Sequence, residues 1–310
     1  MTTSISSNGS ESQNRQQSLT AVSSEEAAVI ERIKRRAQAR KLRAAQKLAA
    51  QVQIGSDGTK TFIRFSSRQR LEHQVLLITF STLALTGMLQ HYSAMSPVAW
   101  VINTVFGGVE TLRTLHHLAA LIFILEAIYH LGIILTVWFV HREKGGMWPR
   151  WRDLTDIIQM MKYNAGLAGE RPLFDRFSAE EKIEYWALLW GSVIMIVTGL
   201  IQWFPTWVTM ALPGQIIPVS RAIHGWEAIL ATLSILIWHM YHTIVKEKNK
   251  SIFNGLMSEQ EMEENHPLEY RRIMAATNYL QQIVAEQEAQ APVGKKEETT
   301  VTMDGEHELA

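Results

Sequence analysis

Apolar residues gather into four long runs, at about 71–92, 115–140, 184–204 and 222–245, while the chain on either side of them is predominantly polar. As a helix, each run is long enough to cross a hydrocarbon layer of roughly 30 Å. The pattern predicts an all-α fold, an integral membrane four-helix bundle with cytoplasmic N- and C-terminal extensions. Residues 1–22, rich in Ser, Thr, Asn and Gln, are expected to be disordered. Residues 23–70 read as a basic helix and linker: Ser23 with Glu26 makes a capping-box start, Arg, Lys, Ala and Gln run to about Val52, and Gly55-Ser-Asp-Gly58 breaks the helix. Residues 71–245 are the four-span domain. Residues 246–310 form a tail with a surface segment, a charged helix and an acidic end, to which no chemistry is assigned.

Charge sets the orientation. Acidic and basic residues balance at 30 each, which by itself says nothing about nucleic acid, and no nucleic-acid partner is expected. The basic residues follow a membrane pattern instead. The connection 141–182 carries Arg142, Lys144, Arg150, Arg152, Lys162, Arg171, Arg176 and Lys182, whereas 93–112 and 205–220 carry no Lys or Arg. By the positive-inside rule both termini face the cytoplasm. The first sixty residues hold no apolar core of signal-peptide length, so the first span is expected to direct insertion itself, into a bacterial inner membrane. There are no cysteines, so disulfides, covalently attached c-type haem and thiolate-held clusters are excluded, and any redox centre must be held by histidine.

Histidines lie in the spans in matched positions. His116 and His130 are fourteen residues apart in the second run, and His224 and His239 are fifteen apart in the fourth. At about 1.5 Å per residue each pair spans roughly 21–22 Å, with the two rings within about 40–60° of one face. Both runs open on Arg-x-x-His, at Arg113-Thr-Leu-His116 and Arg221-Ala-Ile-His224.

An internal repeat relates the halves. Glu72 stands fifteen residues before Gly87 in Leu-Thr-Gly-Met-Leu-Gln, and Glu184 fifteen before Gly199 in Val-Thr-Gly-Leu-Ile-Gln. Both halves begin on the same side of the membrane, so the repeat is parallel about an axis along the membrane normal. Helices with matching histidines then face each other across that axis.

A haem held by two imidazoles needs one ring from each of two facing helices at one depth. His116 and His224 match near the outer surface. His239 with either His130 or His73 matches near the cytoplasm, since His73 also opens its span in Arg-x-x-His, at Arg70-Leu-Glu-His73. Two haems stacked this way make an electron path across the membrane. Arg113 and Arg221, one turn before the outer histidines, are placed either to pair with haem propionates or to anchor the interface. Glu126 and Glu227 are embedded carboxylates suited to proton relay or to bonding a ligand's free ring nitrogen, the latter for Glu227 beside His224. His91, His117 and His242 read as interfacial, with His242, one turn past His239, a weaker candidate for the inner site.

From about Arg64 to His266 the chain resembles the cytochrome b (gamma) subunit of formate dehydrogenase-N, and the wider membrane dihaem cytochrome b family of hydrogenases and thiosulfate reductases. The resemblance rests on Arg70-x-x-His73 with Ala-Leu-Thr-Gly87, Arg113-x-Leu-His116, Lys162-Tyr-Asn-Ala-Gly166, Val197-Thr-Gly before Trp203-Phe-Pro205, Ile223-His224 and His239-Met-Tyr241. It implies a subunit that anchors a periplasmic catalytic module and carries two b haems toward a quinone site near the cytoplasmic face. Carried over, it implies His116 and His224 for the outer haem and His73 and His239 for the inner one. Two departures stand against a simple transfer: His130 has no counterpart there, and His224 to His239 spans fifteen residues instead of fourteen. Two histidines on each of two helices is also similar to the cytochrome b of quinol-oxidising bc-type complexes. The fourth ligand stays open between His130 and His73.

The expectation is thus a membrane-anchoring dihaem cytochrome b subunit exchanging electrons between a periplasmic or membrane-associated redox partner, iron–sulfur or cytochrome c, and menaquinone or ubiquinone. It is an electron-transfer subunit, not catalytic on a soluble substrate alone. The alternative is a haem-free anchor of a respiratory complex. A transporter would need broken helices at midplane, and the prolines near the spans, Pro97, Pro205, Pro213 and Pro218, lie at their outer ends.

Overall fold

A computed structural model describes residues 8–140 and 146–290, with side chains described from residue 28. Two compact units result: one from the residues up to Ala50 together with those from Arg272, the other from Gln51 to Arg271. In the first, helix α1 (Asn8–Ala49) begins ahead of Ser23, because only Gly9 and no proline interrupts 8–22. The cap expected of Ser23 and Glu26, and the disorder expected of 1–7, lie outside what is described. Lys41 lies 4.3 Å over the Tyr279 ring within this unit, and Ala45, Ile273 and Ala276 are buried.

The second unit holds the apolar runs. It contains β1 (Val52–Ile54), β2 (Lys60–Ile63), α2 (Ser67–His91), α3 (Ser96–Val105), α4 (Val109–Leu135), α5 (Trp151–Asn164), α6 (Ala179–Trp203), α7 (Pro205–Thr209), α8 (Ile216–Leu233), α9 (Ser251–Asn254), β3 (Leu256–Ser258), α10 (Glu259–Asn265) and the start of α11 (Pro267–Gln290). Among the described residues, three helices are long and apolar enough to span a membrane: Val109–Val140, Ala179–Trp203 and Ile216–Lys246. Their large apolar side chains, among them Leu118, Leu125, Trp190, Val197 and Leu236, are exposed, as a lipid-facing surface requires. The fourth expected span, α2, is a helix of 25 residues packed along α4. Helix α6 packs along α8, α2 also touches α8, and α4 touches α6, so the four helices form a ring in the order α2, α4, α6, α8.

The repeat is visible in the elements. Each half is a long helix, a short helix opened by proline, and a second long helix that ends in wider π-type turns, Thr136–Val140 in one and Ser234–His239 with Tyr241–Lys246 in the other. Both halves start on Arg-Phe-Ser, at Arg64-Phe-Ser66 and Arg176-Phe-Ser178, and both serines cap the following helix in a capping box, with Gln69 and with Glu181.

The all-α expectation needs one correction. Val52–Ile54, Lys60–Ile63 and Leu256–Ser258 form a three-stranded antiparallel sheet in which Phe62 pairs with both Val52 and Met257. Val-Gln-Ile and Lys-Thr-Phe-Ile alternate around a turn in which Gly58 takes φ +80° and Asp57 accepts from the Thr59 amide at 3.0 Å. The glycines that end the basic helix therefore close a hairpin.

Arg64, at the end of β2, is fully buried. Its Nη1 and Nη2 donate to Glu269 Oε2 at 3.1 Å and Glu181 Oε1 at 3.2 Å. Arg176, its repeat mate, donates to the other Glu269 oxygen at 2.8 Å and to the Arg64 carbonyl at 2.8 Å. One carboxylate thus receives the equivalent arginine of each half, and Lys182, next to Glu181 in sequence, separately donates to Asp153 of α5 at 2.6 Å.

Candidate functional site: two facing histidine pairs

We label the end of the bundle bearing Arg113 and Arg221 the outer end, and that bearing Arg68 and Arg70 the inner end. At the outer end His116 on α4 and His224 on α8 face each other across the ring of helices, with ring centroids 6.5 Å apart. The surroundings of the two rings follow the repeat. Thr86 Oγ1 lies 2.8 Å from His116 Nδ1, and Thr198 Oγ1 lies 2.9 Å from His224 Nδ1. Each threonine hydroxyl already donates to a carbonyl one turn back, Thr82 and Ile194, both at 2.6 Å. Only its lone pairs remain, so each Nδ1–H donates to the threonine, and the neutral ring keeps a bare lone pair on Nε2.

Glycines make room for these rings. A Cβ at Gly87 would stand 3.2 Å from His116 Cε1, and one at Gly199 would stand 3.3 Å from His224 Cε1. Gln90 and Gln202 each donate to the carbonyl of their threonine at 3.1 Å. The Leu-Thr-Gly-Met-Leu-Gln and Val-Thr-Gly-Leu-Ile-Gln runs are therefore two copies of one seat for a histidine.

At the inner end His239 faces His73, with ring centroids 6.3 Å apart. His239 Nδ1 donates to Glu184 Oε2 at 2.8 Å. His73 Nδ1 is buried and has no hydrogen-bond partner among the described residues. His130 does not join them: its Nδ1 donates to Glu72 Oε2 at 3.0 Å, and its Nε2 accepts from the Tyr185 hydroxyl at 3.0 Å. Both ring nitrogens of His130 are thus committed. Helical register explains part of the difference. His239 lies within a π-type turn, which advances less per residue than an α-turn and absorbs the extra residue between His224 and His239.

Other sequence-predicted residues fall as follows. Arg113 donates to the Glu110 carboxylate at 2.9 and 3.0 Å, and Arg221 is exposed one turn before His224. Glu227 is not the partner of His224: its Oε1 fills the space above Gly191, where a Cβ would stand 2.8 Å away. Glu126 is half-buried, one turn before His130. His117 stacks on Trp203 at 4.1 Å, His91 packs against Gly225, and His242 Nδ1 donates to the Trp238 carbonyl at 2.9 Å. Sequence reasoning did not anticipate Thr86, Thr198 and Tyr185 as partners, although each occupies a repeat position: 86 maps to 198, and 185 to 73. Beyond the spans, burial and then Glu181 push the Glu247 carboxyl up to about 7.

The spacing has a chemical meaning. Two imidazoles bound to one first-row metal on a common axis, at about 2 Å per bond and about 1 Å from nitrogen to ring centre, place their centroids about 6 Å apart. Among the described residues no cluster of three or more His, Cys, Asp or Glu gathers around a metal position. A planar tetrapyrrole supplies four ligands itself and asks the protein for two. The bare Nε2 atoms of the outer pair, the glycine-cleared space beside them and the similar gap of the inner pair fit that demand.

No protein-family model matches this chain. It is similar to the cytochrome b556(Fdn) subunit of the nitrate-inducible formate dehydrogenase of Escherichia coli strain K12, 27% identical over 223 residues that cover 70% of this chain and 94% of that protein. The formate dehydrogenase cytochrome b556 subunit of Haemophilus influenzae is 22% identical over 225 residues, covering 72% of this chain and 87% of that protein. A third relative, the cytochrome b556(fdo) subunit of formate dehydrogenase from Escherichia coli strain K12, is 21% identical over 224 residues, 70% of this chain and 95% of that protein. The resemblance read from the motifs is borne out: over 70–72% of its length the chain is related to formate dehydrogenase cytochrome b556 subunits.

Proposed function

We propose that this chain is a membrane-anchoring dihaem cytochrome b subunit that carries electrons between a redox partner at the outer, periplasmic end and the quinone pool at the inner, cytoplasmic end of a bacterial inner membrane. The observation that carries this reading is the pair of gaps, 6.5 and 6.3 Å between ring centroids, between histidines drawn from facing helices at two depths. The names of the relatives, cytochrome b556 subunits of formate dehydrogenases, support haem b as the group and a dehydrogenase complex as the setting.

In this reading His116 and His224 hold the outer haem, and His73 and His239 the inner one. Haem b supplies reversible one-electron transfer when bound. The chain's own residues do the rest. Thr86 and Thr198 fix the tautomer of the outer rings, and Gly87 and Gly199 leave them room. Glu184 orients His239. Arg113 and Arg221 stand at the outer surface one turn from the ligands, within reach of anionic side groups. Helix α2 serves as the fourth span, the termini face the cytoplasm, and a membrane quinone exchanges beside the inner pair. His130 is a helix-bonding residue.

The test is reduction of the purified protein by a quinol analogue, followed at the haem α band. Reduction of both components, with the inner one lost in His73→Ala and His239→Ala, is the expected result. A protein that takes up no haem, yet co-purifies with its redox partners, would instead be a haem-free anchor.

A further inference from the structure

Of the four facing rings, two donate to a neutral hydroxyl, one donates to a carboxylate and one has no partner at Nδ1 among the described residues. From this asymmetry we infer that Glu184 is a positioning residue that sets the redox potential of the inner haem, holding it lower than the same histidine pair would with a neutral acceptor. The inference rests on the ligand assignment proposed above.

The effect of Glu184 is electrostatic. A carboxylate accepting the Nδ1–H pulls that proton away from the ring, which makes Nε2 a stronger donor to iron. A stronger anionic donor environment stabilises the more positive, oxidised iron relative to the reduced one, and the equilibrium moves toward oxidation. In the outer pair the acceptors are Thr86 and Thr198, whose own protons are already given to Thr82 and Ile194, so no negative charge is present at either Nδ1. At the inner pair the Glu184 oxygen is 2.8 Å from His239 Nδ1, and Glu184 is partly screened from solvent, which strengthens its effect. His73 adds no compensating bond.

The fold supplies its own control. Glu72 is the repeat mate of Glu184, and it holds His130 Nδ1 at 3.0 Å in the same way. There the far side of the ring is taken by the Tyr185 hydroxyl, so the charge on Glu72 acts on a histidine that meets no haem. Carboxylates at equivalent positions therefore have unequal consequences, and Arg68, 3.5 Å from Glu72, offsets the charge of Glu72 further.

The experiment is a potentiometric titration of the detergent-purified holoprotein at the α band, with Glu184→Gln and Glu72→Gln compared with wild type. Glu184→Gln is expected to favour reduction of one component by at least about tenfold, which is about 59 mV upward for one electron, with the other component unmoved. Glu72→Gln is expected to move neither. Two bound haems whose potentials ignore Glu184→Gln would overturn the inference while leaving the ligand assignment standing, as would an equal shift in Glu72→Gln. If Glu184→Gln loses the inner component, Glu184→Asp decides. A component regained near its wild-type potential supports the inference, and one still absent, or present at a potential raised by about tenfold, overturns it. A wild-type protein without haem would sink the assignment itself.

Discussion

The Tyr185 hydroxyl lies 3.0 Å from His130 Nε2, at the position in the second half of the chain that His73 holds in the first. The two halves therefore build the same frame twice at the inner end: a carboxylate, a histidine bonded to it, and a facing ring. In one copy the facing ring is His73, whose centroid lies 6.3 Å from that of His239. In the other it is Tyr185, which closes the frame with a hydrogen bond.

Removing that closure tests what it does. Tyr185→Phe leaves His130 Nε2 without its donor and is expected to cost about 1–3 kcal/mol. Thermal unfolding of the detergent-solubilised protein would show it, with haem content unchanged.

The outer seats are separable from the inner ones. Thr198→Val keeps the shape of the side chain and removes the acceptor for His224 Nδ1–H. Partners of this kind change metal affinity by roughly 10–100-fold. Displacement of haem by added imidazole should become easier by that order for the outer component alone, and Thr86→Val should act in the same direction through His116.

Arg64 joins the ends of both halves, since it is buried and bonded to Glu269 and Glu181 while Arg176 takes the other Glu269 oxygen. Removing one member of a buried ionic group costs about 3–5 kcal/mol. Arg64→Ala should lower the unfolding midpoint sharply, and Arg64→Lys, which cannot bridge two carboxylates with a planar fork, should recover only part of it.

Glu247 links stability to pH. Burial, then Glu181, raises its pKa from 4.5 to about 7, with Glu180 adding to the rise and Lys246 and Arg64 opposing it. Between those values the folded protein holds a proton that the unfolded chain has released, so this group's contribution to stability falls as pH rises through the window. His266 is shifted down by burial and acts with the opposite sign, so wild type must be compared with Glu247→Gln. The variant should gain stability over wild type on going from pH 5 to pH 8 and show no gain below pH 4.5.

Much of this arrangement was legible in the residues. Hydropathy marked the long helices, and Arg-x-x-His with the Thr-Gly runs marked the repeat and the His116–His224 pair, because identical local chemistry recurs at fixed offsets. The inner pair was legible only as an alternative, with either His73 or His130 opposite His239. Repeat logic paired His130 with His239, since nothing in the order of residues tells that Tyr185 occupies His130 or that a π-type turn rotates His239. The sheet and the Arg64–Glu269–Arg176 centre were missed for a similar reason. Their partners lie up to 205 residues apart, and short strands leave a weak pattern.

The most direct measurement of the central claim is the haem-to-chain ratio of the purified protein, by pyridine haemochrome, in wild type and in His224→Ala, His73→Ala and His130→Ala. Two b-type haems per chain are expected in wild type, one each in His224→Ala and His73→Ala, and two in His130→Ala. That claim would be contradicted by fewer than one haem in wild type, by His224→Ala keeping both, or by His130→Ala losing the haem that His73→Ala retains.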